Sequence, residues 1–157
     1  MTDCVLLPPA AGPSGFTVLA ADDDEAVLDL LARILTRAGH GVLLARDGAE
    51  ALRLFEEHRP DVTLLDIFMP RVTGLEALRR IRASWGDAEV VLVTGMAHTD
   101  LVIQALRHGA SNFVEKPFRP SALLDQLEWS LLRRGLQREQ ACLACELAAV
   151  DERPGSR

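Results

Sequence analysis

Cysteine, long apolar runs and surplus positive charge are all scarce in this chain, and each absence excludes something. The three cysteines, Cys4, Cys142 and Cys145, are an odd and widely separated set, so no disulfide framework holds the fold. No apolar run reaches the length of a membrane span, and the N-terminus Met1-Thr2-Asp3-Cys4 lacks the cationic region of a signal peptide. A cytoplasmic location is the expectation. Lys and Arg number 17 against 23 Asp and Glu, a formal net charge of -6. A phosphate backbone or an anionic membrane would be repelled, which argues against a nucleic-acid or membrane partner. What is present is ordinary for a globular chain: 157 residues, 48% of them apolar and 25% charged, enough for a single domain with tails.

Residues 1–15, ending in a Pro, Gly and Ala-rich stretch without periodicity, are expected to form a tail. Phe16 to Ala21 is the first apolar run, followed at once by Asp22-Asp23-Asp24-Glu25. Val27, Leu30, Leu31, Ile34 and Leu35 then recur at helical spacing as far as Gly39. This unit of strand, turn and helix repeats. Val42 to Ala45 precedes a helix opened by Asp47. Val62 to Leu65 leads through Asp66, Pro70 and Gly74 into a helix with Leu75, Leu78 and Ile81 on one face. Val90 to Val93 is closed by Thr94, and its helix, carrying Leu101, Val102, Ala105 and Leu106, stops at Gly109. Ser111 to Glu115 runs through Lys116-Pro117-Phe118 into a helix that starts near Pro120. Five such units with doubly buried strands predict an α/β fold, a doubly wound parallel sheet with helices on both faces and right-handed crossovers.

If the strands are parallel, Asp22, Asp23, Asp66, Thr94 and Lys116 share the C-terminal edge of the sheet, where open α/β sheets bind ligands. Three converging carboxylates repel one another and call for a cation. Their hard oxygen ligands suit Mg2+, with Mn2+ as a substitute. The Thr94 hydroxyl and the Lys116 ammonium would complete the surroundings of a phosphoryl group, and Asp66 could accept that group as an acyl phosphate. Taken singly, each residue has an ordinary reading. Asp22 to Glu25 could be a helix N-terminus favoured by the macrodipole, Thr94 a strand end, Lys116 a solvated charge and Phe113 plain core. Asp24 is expected to do no more than start its helix. His40, His58, His98 and His108 have no partners at ligand spacing and are read as surface residues.

The ordered set Asp22-Asp23, Asp66-Ile67-Phe68-Met69-Pro70, Thr94 and Lys116-Pro117-Phe118 resembles the receiver domain of bacterial two-component response regulators, over about residues 16–134. The resemblance implies a flavodoxin-like strand order 2-1-3-4-5. It makes Asp66 the phosphoacceptor of a phosphorelay, a stoichiometric acceptor rather than an enzyme. Mg2+ is held by Asp22, Asp23, Asp66 and the backbone carbonyl of Phe68. Lys116 pairs with the phosphoryl oxygens through a cis bond to Pro117, and Thr94 with Phe113 forms the switch pair. The implied donor is a sensor histidine kinase or a histidine phosphotransfer protein. The implied output is the face of the fourth helix, last strand and fifth helix, acting on a partner, a second copy or an output domain. Phe68 and Met96 stand where the family often has polar residues flanking the path of attacking water, so a long-lived phosphoryl group is expected.

Other readings fit less well. An aspartate-nucleophile phosphatase needs a second acid at position 68, which is Phe. A dinucleotide-binding domain needs Gly-rich turn chemistry where three aspartates stand. A constitutive, unphosphorylated interaction module would lack part of the acidic site, and none is missing. Residues 135–157 are expected to be a helical extension and tail. Trp129, Leu136, Leu143 and Val150 recur every seven residues, but their companions are Leu132, Glu139 and Glu146, half a heptad seam. A dimerising helix, a signalling helix toward an output domain and a solvated helix all stay open. Cys142 and Cys145 form one CxxC without the second pair that structural zinc needs.

Overall fold

The computed structural model describes residues 15–95 and 99–151, with residues 146–151 as helix backbone only; readings that fall on residues 1–14, Met96, His98 and 152–157 lie outside it. Five strands, β1 (Thr17–Ala21), β2 (Gly41–Ala45), β3 (Val62–Leu65), β4 (Val90–Thr94) and β5 (Asn112–Glu115), alternate with five helices. These are α1 (Glu25–Arg37), α2 (Gly48–His58), α3 (Gly74–Ser84), α4 (Thr99–Arg107) and α5 (Pro120–Asp151). All pairings are parallel, in the order β2-β1-β3-β4-β5. This is the doubly wound arrangement that the alternating pattern demands.

The period of two along each strand divides the core. On β1, Val18 and Ala20 face a layer with Leu28, Leu31 and Leu35 of α1 and Leu123 and Leu127 of α5. Leu19 and Ala21 face the other layer, with Leu54 and Phe55 of α2, Leu78 and Ile81 of α3 and Ala105 of α4. Helix starts are fixed locally, because side-chain oxygens satisfy amides that have no intrahelical partner. Asp24 accepts from the Ala26 amide at 2.9 Å, Asp47 from Glu50 at 2.9 Å and Thr73 from Glu76 at 3.2 Å.

Three expectations need correction. Only β3 and β4 are buried on both faces along their whole length; β5 is an edge strand, with Phe113 and Glu115 exposed. Phe113 is therefore not core: it pairs with Leu92 on the α4 side of the sheet and remains 38% exposed. His40 is not a surface residue, since it is half-buried, with Nδ1 enclosed and without a hydrogen-bond partner. Burial lowers its pKa, and Glu128 opposes that. His58 and His108 are exposed as expected.

Candidate functional site

The hydrogen-bond ladder determines which strand ends meet. The amide of Asp66 donates to Ala21 O at 2.9 Å and that of Asp22 to Ala45 O at 3.1 Å, so the carboxylates that leave β1 and β3 stand side by side. The amide of Lys116 donates to Thr94 O at 2.8 Å, which joins the ends of β4 and β5 in the same way. Residues distant in sequence thus converge at the C-terminal edge of the central strands. Asp22, Asp66 and Thr94 are buried there, while Asp23 is exposed.

One carboxylate oxygen from each of Asp22, Asp23 and Asp66 lies within 4.8 Å of the others, close enough for a single ion to bridge. Three hard, negatively charged oxygens of this kind fit Mg2+. Lys116, the only lysine of the chain, reaches into the cluster. Its Nζ donates to Asp22 Oδ2 and lies 3.7 Å from Asp66 Oδ2. Asp22 Oδ1 also accepts from the Asp24 amide at 2.9 Å, which orients that carboxylate. The Lys116–Pro117 peptide is cis.

Burial pushes the Asp66 carboxyl above the ordinary Asp range. Lys116 pulls it back, Asp22 and Asp23 push it up again, and the backbone N–H of Phe68 lowers it. The sign of the linkage follows. Between the ordinary Asp range and the raised value, the folded chain holds more protons than the unfolded one, so stability falls as pH rises through that window. In EDTA, Asp66→Asn is expected to melt several degrees above wild type at neutral pH and to lose that margin on acidification. Thermal unfolding of both proteins from acid to neutral pH checks this; parallel curves would refute it.

Three supporting features escape a reading of the sequence. Gly74 starts α3 against the backbone of Asp66 itself: a Cβ there would lie 1.9 Å from Asp66 O, and the Gly74 amide donates to Ile67 O at 3.0 Å. Gly48 likewise leaves room for Val72 O, 2.2 Å from where its Cβ would stand. Arg71, at φ 65°, reaches Asp47 Oδ2 at 2.9 Å and ties the loop after β3 to the start of α2. Local pattern gives no signal for these contacts. Phe68 is 48% exposed, and Met96 lies outside the described residues.

Known proteins share this fold. The family described as Response regulator receiver domain matches residues 18–128. Response regulator MprA of Mycobacterium sp. (strain KMS) is 39% identical over 117 residues, 74% of this chain and 50% of MprA. The chain spans about half the length of the curated relatives it matches. NtrX from Brucella abortus, solved in complex with ATP, superposes with a TM-score of 0.79 at 32% identity over 83% of this chain and 30% of NtrX. A CheY-like receiver domain protein from Methanospirillum hungatei JF-1 gives 0.76 at 29% identity, covering 79% of this chain and 99% of its own. With residues 18–128 matched by the family and the strand order in agreement, the chain belongs to the response regulator receiver domain family.

Proposed function

We propose that this receiver domain takes a phosphoryl group on Asp66 from a phosphohistidine of a sensor histidine kinase or phosphotransfer protein. The observation that carries the reading is the convergence of three carboxylates and the only lysine at one sheet edge. An Asp66 carboxylate oxygen attacks phosphorus, the N–P bond of the donor breaks, and the imidazole nitrogen keeps the electron pair and takes up a proton. Mg2+, held by Asp22, Asp23, Asp66 and the Phe68 carbonyl, would supply neutralisation of phosphoryl charge. Lys116 then pairs with a phosphoryl oxygen in place of part of its contact with Asp22. Such a site is a stoichiometric acceptor: position 68 offers no acid to activate water, and the Phe68 ring at the rim favours slow loss of the group. The test is incubation with Mg2+ and acetyl phosphate, read as intact mass. A gain of one phosphoryl group is expected. No gain in a folded chain that binds Mg2+ overturns the reading in favour of a constitutive interaction module.

The output reading rests on the same edge. The Thr94 side chain is drawn toward the new charge, and the Thr94 O to Lys116 N–H bond makes β4 and β5 respond together. Phe113, partly exposed beside α4, gains burial by turning in behind Thr94. Helix α4 is loosely embedded, with only Val102 and Ala105 buried, so it is the element whose position changes at least cost. The face of α4, β5 and α5 then signals to a partner or output domain. Thr94→Ala is expected to gain the same phosphoryl mass and to lose most of the phosphorylation-induced change in hydrogen exchange over Thr99–Arg107 and β5. A wild-type exchange response in that variant would sink the switch assignment.

A further inference from the structure

We infer that the outer stripe of α5 pairs in parallel with the same stripe of a second copy of this chain. The inference does not depend on phosphoryl acceptance. Helix α5 is 32 residues long, about 48 Å. Its last hydrogen bonds and ion pair with the body, among the described residues, are made by Arg133 and Arg134. Arg134 donates to Pro60 O and Asp61 O at 3.0 and 2.6 Å, and Arg133 donates to Ser111 O at 3.1 Å and lies 3.6 Å from Glu89. These bonds fix the direction in which the helix leaves the domain. Residues 135–145 are all exposed.

The exposed apolar residues of this helix are aligned. Trp129, Leu132, Leu136 and Leu143 are 53–67% exposed. The heptad expectation failed at Glu139, but a shift of one residue restores the seam. Trp129, Leu132, Leu136, Gln140 and Leu143, continued in the sequence by Leu147 and Val150, are spaced 3-4-4-3-4-3. That is a coiled-coil seam with a single stutter and one polar position. It also lies opposite the face that packs on the sheet, since Leu136 follows the buried Leu127 by roughly two and a half turns. Two copies could therefore join α5 to α5 with their bodies on the outside. Leu132 and Leu136 form a ridge with a groove on either side, about 550 Å³ against Phe16 and His40 and about 390 Å³ against Ser111 and Asn112. Such grooves suit the knobs of a facing helix.

Charge selects the occupant and its direction. Glu128 and Glu139 line one flank of the seam and Arg133 the other. In a parallel pair, Glu128 of one copy meets Arg133 of the other, five positions on, and Arg133 keeps about half of its side chain exposed for that contact. An antiparallel pair would set the acidic flanks against each other.

Sedimentation equilibrium on the full chain tests the proposal. The mass is expected to rise from 17.1 kDa toward twice that value with concentration. Leu136→Lys and Leu143→Lys, both at exposed positions that leave the monomer fold intact by circular dichroism, should weaken association by at least about 100-fold, because each would bury an unpaired ammonium. Ile103→Lys on α4 should not. With the native cysteines changed to Ser, Leu132→Cys and Leu143→Cys should each form a disulfide between copies, whereas an antiparallel pair could join at most one of the two. A chain monomeric at its highest soluble concentration, a dimer that survives both lysine variants, or one that Ile103→Lys disrupts, would overturn the inference, as would cross-linking at only one of the two positions.

Discussion

Asp66→Ala is expected to take up no phosphoryl group under conditions in which the wild type gains one per chain, with EDTA abolishing the wild-type gain. The neighbouring carboxylates cannot substitute. Asp22 is buried, with one oxygen bonded to Lys116 and the other to the Asp24 amide. Asp23 is exposed and makes no recorded bond to Lys116 among the described residues. Asp66 combines the requirements of an acceptor: it ends the central strand, shares the three-carboxylate cluster and lies 3.7 Å from the ammonium that would balance charge on the incoming group. Burial raises the free energy of its charged form, so a bound cation stabilises the carboxylate. Intact-mass measurement of the two proteins decides the matter. A gain that persists in Asp66→Ala would place the acceptor elsewhere.

The second large effect is expected from a single methyl group. In Gly74→Ala the new carbon would stand 1.9 Å from Asp66 O, 2.8 Å from its carbonyl carbon and 3.0 Å from Ile67 Cα. All three are backbone atoms, so no side chain can swing aside. Either α3 withdraws from the loop after β3, or the Asp66 peptide turns. The cost should be on the order of 3 kcal/mol or more, in the range of overpacking against an unyielding wall. Urea unfolding should show a lower midpoint with an unchanged slope, and phosphoryl uptake should fall with it, because the moved peptide carries the acceptor. A change within about 0.5 kcal/mol, the range of ordinary surface substitutions, would mean that the loop has slack the structure does not show.

The sequence by itself determined the elements and their order, because these depend on neighbours within one unit. Alternating and helical apolar spacing marks strands and helices wherever they later pack, and Asp24 and Asp47 cap helices through amides two or three residues away. The parallel sheet follows from repetition of the unit, and it brings Asp22, Asp66, Thr94 and Lys116 to one edge without reference to any distance. Contacts between units were decided only in three dimensions. Gly74 against Asp66, Gly48 against Val72 and Arg71 on Asp47 depend on where crossovers set loops that no periodicity orders. Burial at the margins depends on position in the sheet, so Phe113 on an edge strand lies partly open, while His40, between α1 and β2, is half-buried near Phe16 and Glu128. The face that α5 leaves outward was likewise hidden, since Leu127 and Leu136 are chemically alike and only packing against the sheet tells them apart.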